Sequence, residues 1–228
     1  MTTMHAPAVL PTAPSSDSVG LATWSRAAAA LPIAAGAGVA LGVGDLWWNI
    51  HSPGPWATVA NSCAAWGLAP FLLGAVLTLV LRTGAAVAAA AGVLMLGVAV
   101  EAYYVAGVVW LGDDPSIVTS PVAHYWLVLS VIVGSTLGVA GAWAAGRSAL
   151  LAVLGTAVGA ALLLGDALQL SQLSYGEVPS EAGILAFLGV LVLVLAMRRP
   201  LVAIGAALLT APLTVAAAAC FVGSGVWM

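Results

Sequence analysis

The sequence predicts an all-α polytopic membrane protein, a bundle of seven transmembrane helices, on three observations. Of the 228 residues 63% are hydrophobic and only 6% are charged, more apolar surface than a soluble fold can hide. The apolar residues fall into seven stretches of membrane-spanning length, broken by short polar or proline-containing turns. The few charges are sorted, with arginine at one end of the stretches and acids toward the other. A net charge of −3 with no lysine leaves no footprint for nucleic acid, and little chain remains for a soluble domain.

In chain order, residues 1–25 are rich in Pro, Ser, Thr and Ala and are expected to form a disordered tail ahead of a single transmembrane domain, 26–228. No signal peptide is expected, because no cleavage site follows the first apolar run. Spans are expected at about 27–48, 57–81, 84–108, 122–146, 149–168, 181–197 and 200–222. On one side the spans are joined by the turn from His51 to Pro55, a polar loop from Leu111 to Pro121, and a third loop from Gln169 to Ser180. Arg82-Thr83, Arg147-Ser148 and Arg198-Arg199-Pro200 make the tight turns opposite. All five arginines, Arg26 included, share that second side. The positive-inside rule then puts it and the amino terminus in the cytoplasm and the carboxyl terminus outside. The absence of lysine beside abundant Ala, Gly and Val points to a GC-rich genome, so the expected location is a bacterial inner membrane.

Three spans carry one ruler. Arg26, Arg82 and Arg147 are each followed nineteen residues later by an acid: Asp45, Glu101 and Asp166. Nineteen residues of helix rise roughly 28 Å, close to the hydrocarbon thickness of a bilayer, so the three acids share a depth. Asp45-Leu46-Trp47-Trp48 parallels Glu101-Ala102-Tyr103-Tyr104, an acid followed one residue on by two aromatics. Asn61, Trp66, Trp110, His124, Tyr125 and Trp126 gather toward the same face. Aromatic residues at that level also serve as an interface belt, but a belt needs no matched acids. An acid held in an apolar cup can act as a proton donor, and aromatic faces stabilise a cation without trapping it. That combination suits protonation-initiated cyclisation of a prenyl chain. Glu101, Asp45 or Asp166 would be the donor, with a second carboxylate or His124 as the final base. Trp47, Trp48, Asn61, Trp66, Tyr103, Tyr104, Trp110, Tyr125 and Trp126 would line the substrate.

The acid–aromatic segments Asp45–Trp48 and Glu101–Tyr104, in a small lysine-free seven-span chain, resemble the integral-membrane terpene cyclases. In particular the chain is similar to the bacterial drimentine type, functionally akin to fungal seven-span meroterpenoid cyclases. The segment from Asn61 to Trp66 also resembles an Asn-Ser…Trp pattern of actinobacterial membrane proteins. The resemblance implies a prenylated indole diketopiperazine as substrate and no cofactor. Two other readings stand beside it: a proton- or cation-coupled transporter, and a non-catalytic membrane subunit. A transporter needs polar groups in the arginine-side half, where the chain offers little beyond Thr78 and Ser135-Thr136.

Other chemistry finds little support. No metal site is expected, because the histidines and acids lack ligand spacing. Asp113-Asp114 begins a metal–diphosphate motif but lacks its third acid, and reads as a solvated turn before Pro115. Glu177 and Glu181 fit the start of a helix. Cys63 and Cys220 fall toward one face, open to a disulfide or to the commoner role of small buried side chains.

Overall fold

The computed structural model describes residues 16–52, 54–60, 62–173 and 180–223. Its helices are α1 (Ser16–His51), the short α2 (Pro55–Ala60), α3 (Cys63–Val76), α4 (Ala85–Leu111), α5 (Pro121–Ala145), α6 (Ala149–Leu173), α7 (Ser180–Leu195) and α8 (Pro200–Gly223). No strand occurs among the described residues. Seven helical segments are long and apolar enough to cross a bilayer, so the chain is a polytopic all-α membrane protein. Its outward side chains agree with that: Leu201 and Leu208 on α8 are 83% and 75% exposed, as lipid-facing residues would be.

Two boundaries differ from expectation. α1 begins at Ser16, inside the segment expected as a tail, while residues 1–15 lie outside the described residues. The second span was expected from residue 57, but it starts at Cys63. α2 is a separate turn of helix, and Ser62 caps α3 by accepting the N–H of Ala65 at 3.1 Å. At its other end α3 widens into a π-helical turn, Leu77–Leu81, which Arg82 closes in the left-handed region at φ 54°.

Glycine sets the packing. Gly38 and Gly42 on α1 lie against the carbonyls of Met95 and Ala99 on α4, so closely that a Cβ would strike the backbone. Gly92 and Gly134 press α4 onto α5, Gly74 and Gly138 press α3 onto α5, and Gly155 sets α6 against Ala140 of α5. α3 runs through the middle and contributes to every core cluster. Leu73 packs with Ala30, Ala91 and Met95; Phe71 with Leu137 and Ala140; Ala64 with Leu163 and Leu185. On the arginine-bearing face, the Arg199 guanidinium donates to the carbonyls of Gly146 (2.8 Å) and Arg147 (3.1 Å), tying the α5–α6 turn to the α7–α8 turn.

Candidate functional site: two acids flanking a helix start

The first turn of α3 organises the acidic face. On one side stands Asp166 from α6, fully buried, accepting the N–H of Ala64 at 3.1 Å. The Ser62 hydroxyl and Cys63 are its other neighbours. A carboxyl group set against the free N–H groups of a helix start meets both an unsatisfied donor and the positive end of the helix dipole. Asp166 is thereby committed to holding α3, although its Oδ1 has no partner, nor does Oε1 of buried Gln169 one turn along.

On the other side stands Asp45 from α1, 6% exposed. Its carboxyl group and the Trp66 indole N–H face each other within interacting range, but Asp45 Oδ2 and Trp66 Nε1 fall short of hydrogen-bond geometry. Trp66 meets Tyr103 edge-on at 6.1 Å between ring centroids, and Tyr103 meets Tyr104 edge-on at 5.7 Å. Asn49, one turn beyond Asp45, approaches the Tyr103 hydroxyl. Local sequence explains this face: Gly38, Gly42, Asp45 and Asn49 recur at helical spacing and all turn toward α4. The result is a buried acceptor and a buried donor, both unpaired, beside three aromatic rings.

Depth matching does not place Glu101 there. It stands two positions from Tyr103, about 200° around the helix. It shares its face with Gly97, which has open space beside it, and with exposed Val105. Glu101 is half-buried and makes no hydrogen bond or ion pair among the described residues. His124 is exposed, and its Nδ1 donates to the Ser120 carbonyl at 2.9 Å within its own helix.

The remaining aromatics form separate groups. Trp47 stacks on His51 at 4.7 Å and neighbours Trp48, whose indole N–H donates to the Trp56 carbonyl at 3.1 Å. Tyr125 and Trp126 pair on α5. Trp47, Trp48, Trp110 and Tyr125 are exposed, as belt residues are. Asn61, Tyr175 and Glu177 lie outside the described residues.

Asp113 and Asp114, expected together as a solvated turn before Pro115, are both exposed but take different places. Asp114 does what a turn acid does: it accepts the Ser116 N–H at 2.8 Å to cap a 3₁₀ turn, Pro115–Thr119, and those bonds hold its carboxyl below the usual carboxylate range. Asp113 instead folds back onto α4. Its Oδ2 lies 2.7 Å from where a Cβ on Gly107 would sit, one turn above Tyr103 and within electrostatic reach of that residue. A local reversal at Gly112, six residues of chain from Gly107 to Asp113, brings it there, and apolar spacing carries no signal of that.

Among the described residues no three His, Cys, Asp or Glu side chains converge to hold a metal ion, and Cys63 and Cys220 are both free. Cys220 is exposed rather than buried. An open apolar cleft of about 680 Å³ runs between α6, α7 and α8, but its walls include no residue of α1 or α4, so it is separate from the Asp45 site.

No curated protein matches this chain, and no solved structure does. A family model matches residues 21–225, nearly the whole length, and with that the chain belongs to the family described as a family of unknown function, DUF6518.

Proposed function

We propose that this protein is a membrane-bound terpene cyclase that isomerises a prenyl (farnesyl) chain on an indole- or diketopiperazine-like acceptor, with Asp45 as proton donor. One observation carries the reading: a buried carboxyl oxygen without a partner, set beside the unpaired Trp66 N–H and the rings of Trp66, Tyr103 and Tyr104. Proton transfer from Asp45 to a terminal alkene carbon leaves a tertiary cation. Ring closure then consumes an internal double bond, and the cation passes along the chain against the aromatic faces. Loss of a proton from a neighbouring carbon to a carboxylate restores a double bond. Atoms and electrons balance with no co-reactant, so product and substrate have equal mass.

The glycine contacts that lock α1, α3, α4, α5 and α6 together favour an enclosed site over a transport path. Ser135, the polar residue midway along α5, donates to carbonyls of its own helix, Val131 and Ile132. The positive-inside rule supports a cytoplasmic arginine face, hence an amino terminus inside, a carboxyl terminus outside, and multi-pass insertion in a bacterial inner membrane. In intact cells, and in a background with Cys63→Ala and Cys220→Ala, a membrane-impermeant maleimide is expected to label Ser116→Cys and to leave Ser148→Cys unlabelled; the reverse pattern would invert the orientation.

The activity is tested with membranes holding the full chain, a farnesylated indole diketopiperazine, and chromatography coupled to mass spectrometry. Wild type is expected to yield a product of unchanged mass and new retention. Asp45→Asn is expected to reduce its rate roughly hundredfold or more, the usual scale for a lost general acid, while Glu101→Gln keeps most of it. Equal rates for wild type and Asp45→Asn would refute Asp45 as donor.

A further inference from the structure

Two turns meet at one corner of the arginine-bearing face. The Arg199 guanidinium uses two of its five N–H donors on the carbonyls of Gly146 and Arg147, where α5 ends. Those bonds set Arg147 beside Arg198 and Arg199, so three of the chain's five arginines share one corner. All three are exposed, and the guanidinium groups of Arg147 and Arg198 make no hydrogen bond or ion pair among the described residues. Every acid whose side chain is described belongs to the opposite end of the bundle. The positive-inside rule asks only for arginine on this side, not for three together. Next to this corner, α7 and α8 both pack on α6 and hardly touch each other, which leaves the open cleft of about 680 Å³. Leu193 on α7 and Ala207 on α8 border its arginine-side end, and Ala186 and Ala211 lie one to two turns deeper. Leu193 is five residues from Arg198 and Ala207 eight from Arg199, so the cleft begins roughly 8–12 Å from the arginines, with Ala186 and Ala211 at roughly 18 Å. That is the depth of one leaflet's hydrocarbon, about 15 Å, measured from its headgroups. The hydroxyls of Ser171 and Thr210 on the wall bond to carbonyls of their own helices and that of Thr214 is buried, so the wall is apolar.

We propose that this arginine corner and the α6–α7–α8 cleft together bind an anionic phospholipid of the arginine-side leaflet, its phosphate on Arg147, Arg198 and Arg199 and one acyl chain in the cleft. Charge selects the head. Three guanidinium groups with no acid beside them favour a headgroup of net negative charge over a zwitterionic one, whose ammonium would meet like charge. The apolar wall selects a lipid over a soluble phosphate, because it rewards only a chain. The bound chain supplies the contact between α7 and α8 that the protein itself lacks. The site shares no residue with the Asp45 site and does not rest on the cyclase reading.

The test is native mass spectrometry of the full chain, delipidated in detergent and titrated with dioleoyl phosphatidylglycerol or dioleoyl phosphatidylcholine. Wild type is expected to hold one phosphatidylglycerol roughly 25-fold more tightly than phosphatidylcholine, about fivefold for each of the two unpaired arginines. Arg147→Gln combined with Arg198→Gln should erase that preference, while Arg26→Gln, on the same face but another helix, should keep it. Arg199 stays in place in every variant, because it also ties the two turns. Ala207→Phe keeps all the arginines and fills the near end of the cleft from an exposed position. It should lose affinity for both lipids and keep the preference between them. Soluble glycerol 3-phosphate should not displace the lipid. Equal affinities in wild type, a preference that survives the double arginine variant, unchanged affinity in Ala207→Phe, or displacement by glycerol 3-phosphate overturns the proposal. A dimer that binds no lipid would overturn it in favour of a second copy on the cleft.

Discussion

Asp45 and Asp166 reach the first turn of α3 from opposite helices, and their surroundings ask different things of them. Asp166 meets a backbone N–H that would otherwise be orphaned in a layer without water. Asp166→Ala is therefore expected to destabilise the protein by about 1–3 kcal/mol, and Ser62→Ala by about 1 kcal/mol, as lower unfolding temperatures in detergent. At temperatures where these variants stay folded, turnover should persist. Asp45→Asn should show the opposite pattern, with stability kept and turnover lost. If Asp166→Ala kept full stability, its anchoring role would be wrong. The sequence made the depth of these acids legible, because apolar length fixes depth. It did not reveal azimuth: Glu101 has the right height and a face about 200° from Tyr103. Asp113 was illegible for a different reason, since its place depends on a chain reversal over Gly107 rather than on any periodicity.

At the scale of the helix, the site depends on how closely α1 approaches α4. Gly42 lies one turn before Asp45, and a side chain there would run into the Ala99 carbonyl and the Tyr103 N–H. Gly42→Leu is expected to push the helices apart and to destabilise the protein by about 1–3 kcal/mol, the usual cost of overpacking. It should also lower turnover at temperatures where the variant remains folded, because Asp45 and Tyr103 move apart together. Gly36→Leu, a position with open space around it, is the control and should change neither quantity. Unchanged stability and turnover in Gly42→Leu would show that the close approach is not required. Most helix positions were legible from apolar length and proline or arginine punctuation. The start of α3 was not, because α2 continues the apolar run and only Ser62 with its partner Asp166 marks the break.

Taken whole, the molecule is asymmetric across the membrane. The acid-bearing half holds the unpaired Asp45 carboxyl oxygen and the rings of Trp66, Tyr103 and Tyr104, while glycine contacts lock the helices in both halves, from Gly155 and Gly74 to Gly42. A buried acid among aromatic rings suits the proposed chemistry on a lipid-soluble chain, with water kept from the cation. The most direct measurement is to run the reaction in deuterium oxide on a farnesylated indole diketopiperazine and weigh the product. Proton-initiated cyclisation transfers one solvent-derived deuteron to carbon, so the wild-type product should be one mass unit heavier than in ordinary water and keep that label after return to it. The Asp45→Asn enzyme should form that labelled product far more slowly. A cyclised product without retained deuterium, or labelled product formed equally fast by Asp45→Asn, would contradict the account.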